Sequence, residues 1–207
     1  VALRSILSRN VAAPDVSYRQ INDLARKVTQ GTYDPCNGLG VQQIRAVLDG
    51  FKVNYRDIDY AKNKNLRDVI PYQKLVYSGI ESGQGAFLGF TFPDPESEEK
   101  CRHIIPFYGH TFNKDTWAPD ADVAYFHLGE KLGYIPSESW TSSFIGHDDN
   151  FGLNFCIPRL YVNSSQVEYG VEILRPGIQY EGATAEAFAL QFLYSAMPQI
   201  SADDNAW

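Results

Sequence analysis

Cysteine is scarce in this chain: three residues, at positions 36, 101 and 156. An odd count cannot close a complete disulfide framework, so the expected setting is a reducing compartment with at most one bridge. No CxxC pair occurs, and no His/Cys group has metal-ligand spacing. No metal and no cofactor are therefore expected. No apolar run approaches the roughly 18–20 residues of a membrane span, so no membrane partner is expected. Basic residues are also short, 18 Lys and Arg against 25 Asp and Glu, for a net charge of −7. That balance excludes a general nucleic-acid binder, which needs a basic footprint. The opening VALRSILSRN lacks an apolar signal-peptide core and a small-residue cleavage site, which points to the cytoplasm. It also lacks an initiator Met and, with the end SADDNAW, reads as a processed chain or an excised domain. There is no internal repeat and no low-complexity tract.

What is present suits a globular protein. The 207 residues are 44% hydrophobic and 21% charged, with 12 Phe, 13 Tyr and 3 Trp. That is enough for one sizeable core, so a single domain over 1–207 is expected, its core spanning about 17–175. Residues 17–29 place Ile21, Leu24, Ala25 and Val28 on one helical stripe, and 37–49 do the same with Val41, Ile44, Val47 and Leu48. KVNYRDIDY (52–60) alternates as a strand, and QKLVYSGIES (73–82) reads as a helix. AFLGFTF (86–92) and HIIPFYGH (103–110) read as strands. The second is almost continuously apolar and so central, with Pro106 demanding a bulge or a free edge. Residues 111–142 read as an insertion with a short helix over 120–130. SFIGH (143–147), LNFCIP (153–158) and VEYGVEIL (167–174) read as strands, and 184–197 as a C-terminal helix. Helices followed by a mostly antiparallel sheet make an α+β class.

One segment points to nucleophilic chemistry. In QGTYDPC, Cys36 enters the 37–49 helix, where unpaired N–H groups and the dipole favour a thiolate. The same N–H groups suit an oxyanion, and the Gln30 amide upstream supplies a second donor. A nucleophilic thiol needs an imidazole, and His103 opens the central strand. A carboxylate must orient that imidazole, and Asp149 sits in the turn after SFIGH. Taken singly, each has a structural explanation: a buried thiol, a strand histidine, a turn aspartate.

Together the segments resemble the papain-like cysteine peptidases. Gln30-Gly31-Thr-Tyr-Asp-Pro-Cys36 is similar to the Q-G-x-x-x-x-C nucleophile motif, and ESGQGAFLGF (81–90) to the entry into the histidine strand. His103-Ile-Ile-Pro-Phe-Tyr-Gly109-His110 is similar to that strand, H-A-V-A-A-V-G-Y. FIGHDDNFG (144–152) is similar to the strand ending in N-S-W-G, with Asp149 at the Asn position. The resemblance covers about 30–158 and implies a papain-like fold. It implies that Cys36 attacks an amide carbonyl, His103 shuttles the proton, Asp149 fixes the imidazole, and Gln30 with the Cys36 N–H holds the oxyanion.

The chain departs from the pattern in three places. Cys36 and His103 are 67 positions apart, about half the papain interval of roughly 130–150. That spacing is more similar to compact bacterial bacteriocin-leader peptidases, which carry Asp as the third residue. C-W-A-F is absent after the cysteine, where this chain has CNGLG. His103 to Asp149 is long, at 46 positions. Asp148, set apart from Asp149 by strand alternation, and Asp115 remain rivals for the acid, and His147 for the base. Trp117 and Trp140 flank the insertion. His110, His127, Cys101 and Cys156 read as structural. The resemblance implies a cysteine peptidase or amidase acting on a peptide or protein. The alternatives are a catalytically silent binding domain and a deamidase or acyltransferase module of a larger protein.

Overall fold

The computed structural model describes residues 2–10, 15–31, 33–34, 38–93, 100–112, 126–128, 132–134, 141–158, 166–174, 189 and 192. The helices are α1 (Ala2–Asn10), α2 (Tyr18–Arg26), α3 (Val41–Gly50), α4 (Leu66–Val69) and α5 (Tyr72–Glu81). The strands are β1 (Asn54–Asp59), β2 (Ala86–Pro93), β3 (Lys100–Phe112), β4 (Phe126–Leu128), β5 (Leu132–Tyr134), β6 (Thr141–Asp148), β7 (Gly152–Pro158) and β8 (Val167–Leu174). Six strands form one sheet in the order β1-β8-β2-β3-β6-β7, every neighbouring pair antiparallel. The class is α+β. Among the described residues no helix is long and apolar enough to cross a membrane.

Strand alternation splits the apolar side chains between two faces. Ala86, Leu88, Phe90, Ile105, Phe107 and Phe144 share a cluster with Tyr72, Leu75, Val76 and Tyr77 of α5. Phe87, Tyr169, Val171 and Ile173 meet α1 through Leu3, Ile6 and Leu7, α2 through Ile21 and Ala25, and α3 through Ile44, Val47 and Leu48. Helices thus cover both faces. Phe87 is fully buried between the sheet and the three-helix layer. Phe87→Ala is expected to cost about 3–5 kcal/mol, read as a lower urea midpoint with an unchanged slope.

Polar ties fix the helices. Ser17 caps α2 reciprocally: its hydroxyl accepts the Gln20 N–H and its own N–H donates to Gln20 Oε1. Arg45 of α3 donates to Asp57 Oδ2 at 2.7 Å, and the Tyr169 hydroxyl donates to the same oxygen at 2.8 Å. Burial pushes the Tyr169 phenol well above its ordinary range, and the Asp57 bond adds to the shift, so it stays a donor.

Three sequence expectations change. The helix expected over 17–29 is α2 and ends at Arg26. The helix expected from 37 starts at Val41, because Gly38 holds φ +71°, a left-handed conformation that no helix contains. The helix expected over 120–130 is replaced at 126–128 by β4, which pairs with β5. The 111–142 segment joins β3 and β6, which are neighbours in the sheet. Of the expected C-terminal helix only Ala189 and Phe192 are described, and both are helical.

Candidate active site

β3 lies between β2 and β6, and its ladder with β2 runs unbroken from Ala86↔Phe107 to Pro93↔Lys100. Along that stretch His103, Ile105 and Phe107 share one face, the α5 face, and His103 pairs with Phe90 of the same cluster. The ladder with β6 is recorded only from Phe107↔Gly146 onward. His103 therefore sits past the point where β3 and β6 are zipped together. Pro106 stands at the same place, next to the β3 bulge between Phe107 and Gly109. A proline there removes no hydrogen bond of that ladder, which accounts for its presence in an inner strand.

The gap is filled by β6. Phe144, Gly146 and Asp148 follow one another on the α5 side, since Phe144 joins that cluster and a Cβ on Gly146 would meet Ile105 and Phe107 side chains. Asp148 Oδ2 lies 3.1 Å from His103 Nε2. Its other oxygen, Oδ1, accepts the N–H groups of Asn150 at 2.8 Å and Phe151 at 3.3 Å, an Asx turn. Asp148 is 3% exposed. A buried carboxylate with three N–H partners is a fixed acceptor. A carboxylate only accepts, so the ring nitrogen facing Asp148 is an N–H donor, and Nδ1 is the nitrogen left to face a second partner. Asp149 Oδ1 lies 3.4 Å from the same nitrogen, on a side chain that is half exposed.

Both neighbours reach His103, but the closer, buried and hydrogen-bonded one is Asp148. Strand alternation, which seemed to remove Asp148, is what puts it on the face of His103; Asp149 already belongs to the turn. His103, Asp148 and Asp149 also offer donor atoms within 4.8 Å of one another. Asp148 spends its oxygens on N–H donors, however, which suits an imidazole acceptor better than a cation ligand.

The other sequence candidates are placed as follows. Cys36, Asp115, Trp117 and Trp140 lie outside the described residues. Gln30 is exposed just after α2, and among the described residues no hydrogen bond joins it to His103. The loop between α2 and α3 is tied by another amide: Gln43 accepts the Gly40 N–H on Oε1 and donates from Nε2 to Thr29 Oγ1, both at 2.7 Å. Sequence reasoning missed Gln43, although a Gln three residues after a Gly start is a cap signal. Tyr33, Leu39 and Val41, which flank Cys36 in sequence, pack with Ile104 on the three-helix face. Among the described residues no hydrogen bond or ion pair joins His147 to the pair. His110 meets Glu81 at 2.5 Å and stacks near Tyr77. His127 lies in β4. Cys101 and Cys156 are free, exposed strand residues. Cys101 shares the face of His103, two positions along β3.

No family model, no curated protein and no solved structure matches the chain. The functional reading therefore rests on the residues and their geometry.

Proposed function

We propose that the chain is a thiol-dependent C–N hydrolase, a papain-like peptidase or amidase, in which His103 and Asp148 act as the base pair and Cys36 as the nucleophile. The supporting observation is the buried Asp148, held by two backbone N–H groups and bonded to His103 Nε2. That arrangement fixes the ring and points to Nδ1 as the atom that would take a thiol proton in general-base catalysis. Cys36 attacks the carbonyl carbon, Nδ1 takes the thiol proton and returns it to the leaving amine, and water then hydrolyses the thioester. Asp149 adds negative charge beside the imidazolium.

A second reading is a silent domain of the same fold used for binding. It is favoured by the packing of Tyr33, Leu39 and Val41 on the face opposite His103. Alkylation by iodoacetamide at pH 6, followed by mass spectrometry, separates the two. The hydrolase reading expects Cys36 to react about tenfold faster than Cys101 and Cys156. Equal rates at the three thiols would favour the binding domain, and a fast Cys101 would move the nucleophile to β3.

A further inference from the structure

We propose that Tyr108 is a positioning residue for the His103–Asp148 pair, acting through two β-bulges locked together across β6. This rests on the reading of that pair as the base unit. Tyr108 touches neither member. Its role follows from register.

β6 is flanked by one extra residue on each side. Between Phe107↔Gly146 and Gly109↔Ile145, β3 inserts Tyr108. Between Gly146↔Phe155 and Asp148↔Gly152, β7 sets Leu153 and Asn154 against His147 alone. Both irregularities meet at Gly146, two residues before Asp148. The Tyr108 hydroxyl spans them. It accepts the Asn154 N–H at 2.9 Å, donates to Asn154 Oδ1 at 2.9 Å and lies 3.2 Å from the Gly146 carbonyl oxygen. Asn154 holds φ +60°, a left-handed conformation that is uncommon away from glycine and that Asn tolerates better than most side-chain-bearing residues. The hydroxyl is the partner that stabilises it there. The Arg9 guanidinium of α1 lies 4.5 Å from the Tyr108 ring centroid and holds the ring from the helical side.

The β7 bulge sets where the Asp148–Gly152 turn closes. If Asn154 relaxed into extended backbone, β7 would slip by one residue against β6. The turn that delivers the Asn150 and Phe151 N–H groups to Asp148 would then open, and the carboxylate facing Nε2 would lose its fixed orientation. The Phe151–Phe155 stack, at 4.9 Å and 14°, closes the other side of the same turn.

The test reads the imidazole directly. With 15N-histidine labelling, the Nε2–H of His103 is assigned by its loss in His103→Ala, and its exchange with water is measured. Tyr108→Phe is expected to speed that exchange roughly five- to tenfold, the change that losing one net hydrogen bond brings. Adding Asn154→Gly, which accepts φ +60° without strain, is expected to recover part of the protection. A folded Tyr108→Phe whose Nε2–H exchanges as in wild type overturns the proposal, even if its melting point falls. If Tyr108→Phe does not fold, Asn154→Ala, which removes the side-chain acceptor and disfavours φ +60° while leaving Tyr108 in place, takes its role, and unchanged exchange there overturns it equally. Because this readout involves no cysteine, an unreactive Cys36 would sink the hydrolase reading and leave the Tyr108 result intact.

Discussion

Asp148→Asn is expected to lower hydrolysis of a fluorogenic peptide amide by about 10²- to 10⁴-fold, the scale seen when the acceptor behind a catalytic imidazole becomes an amide. The backbone of the turn tolerates the change. Asn keeps an Oδ1 that can accept the Asn150 and Phe151 N–H groups, and Asx turns form with either residue. The amide then turns its NH₂ toward His103. Nε2 must become the acceptor, the proton moves to Nδ1, and the nitrogen that should take the thiol proton no longer has a lone pair. Asp149→Asn is expected to cost less than about tenfold, because its carboxylate is half exposed and screened by water. The check is the pair of rate constants beside the two melting midpoints. Equal losses, or the larger loss at Asp149, would return the orienting role to Asp149.

His103→Ala is expected to erase the whole reactivity advantage of Cys36. At pH 6 an ordinary thiol near 8.5 is about 0.3% thiolate, whereas one held near 5 by an imidazolium is about nine-tenths thiolate. That is roughly a 300-fold gain in the reactive form. The lower basicity makes each thiolate a weaker nucleophile, by about 25- to 55-fold over such a drop. The net advantage is therefore about tenfold, well below the gain in thiolate. Alkylation rates at pH 6, with Cys101 and Cys156 as references in the same sample, read this margin. If the margin survives in His103→Ala, the imidazole is not the partner of Cys36, and the packing of Tyr33 and Leu39 on the opposite face of the sheet becomes the leading guide.

The inner strands β8, β2 and β3 were legible because they are covered on both sides and their apolar residues alternate between the two faces. Phe87 against Ala86 and Leu88 reports two buried faces from sequence alone. His103 was legible for the same reason, as a polar residue in an apolar inner strand. The start of α3 was not. Its apolar stripe extends toward Asn37, and only the backbone reveals that Gly38 is left-handed. Asp148 stood as a rival behind Asp149 because alternation was applied across a strand end, where the chain has already begun to turn. The bulges at Tyr108 and Asn154 left little sequence signal: neither is glycine, Asn154 offers only the tolerance of Asn for a left-handed backbone, and each exists through a partner distant in sequence. Short-range patterns report which face a residue takes, whereas the pairing of two irregularities across a third strand is a tertiary property.

The helices that pack extensively on the sheet do so on β1, β8, β2 and β3; among the described residues none does so on β6 or β7. The sheet is therefore anchored unevenly. β2 and β8 lie between two apolar layers and can open only with the whole molecule, whereas the β6–β7 hairpin can separate by local unfolding at lower free energy. Asp148 belongs to the hairpin and His103 to the anchored part. The pair thus straddles a cooperative boundary, and warming would uncouple carboxylate from imidazole while the amides of Phe87 and Val171 remain protected from exchange.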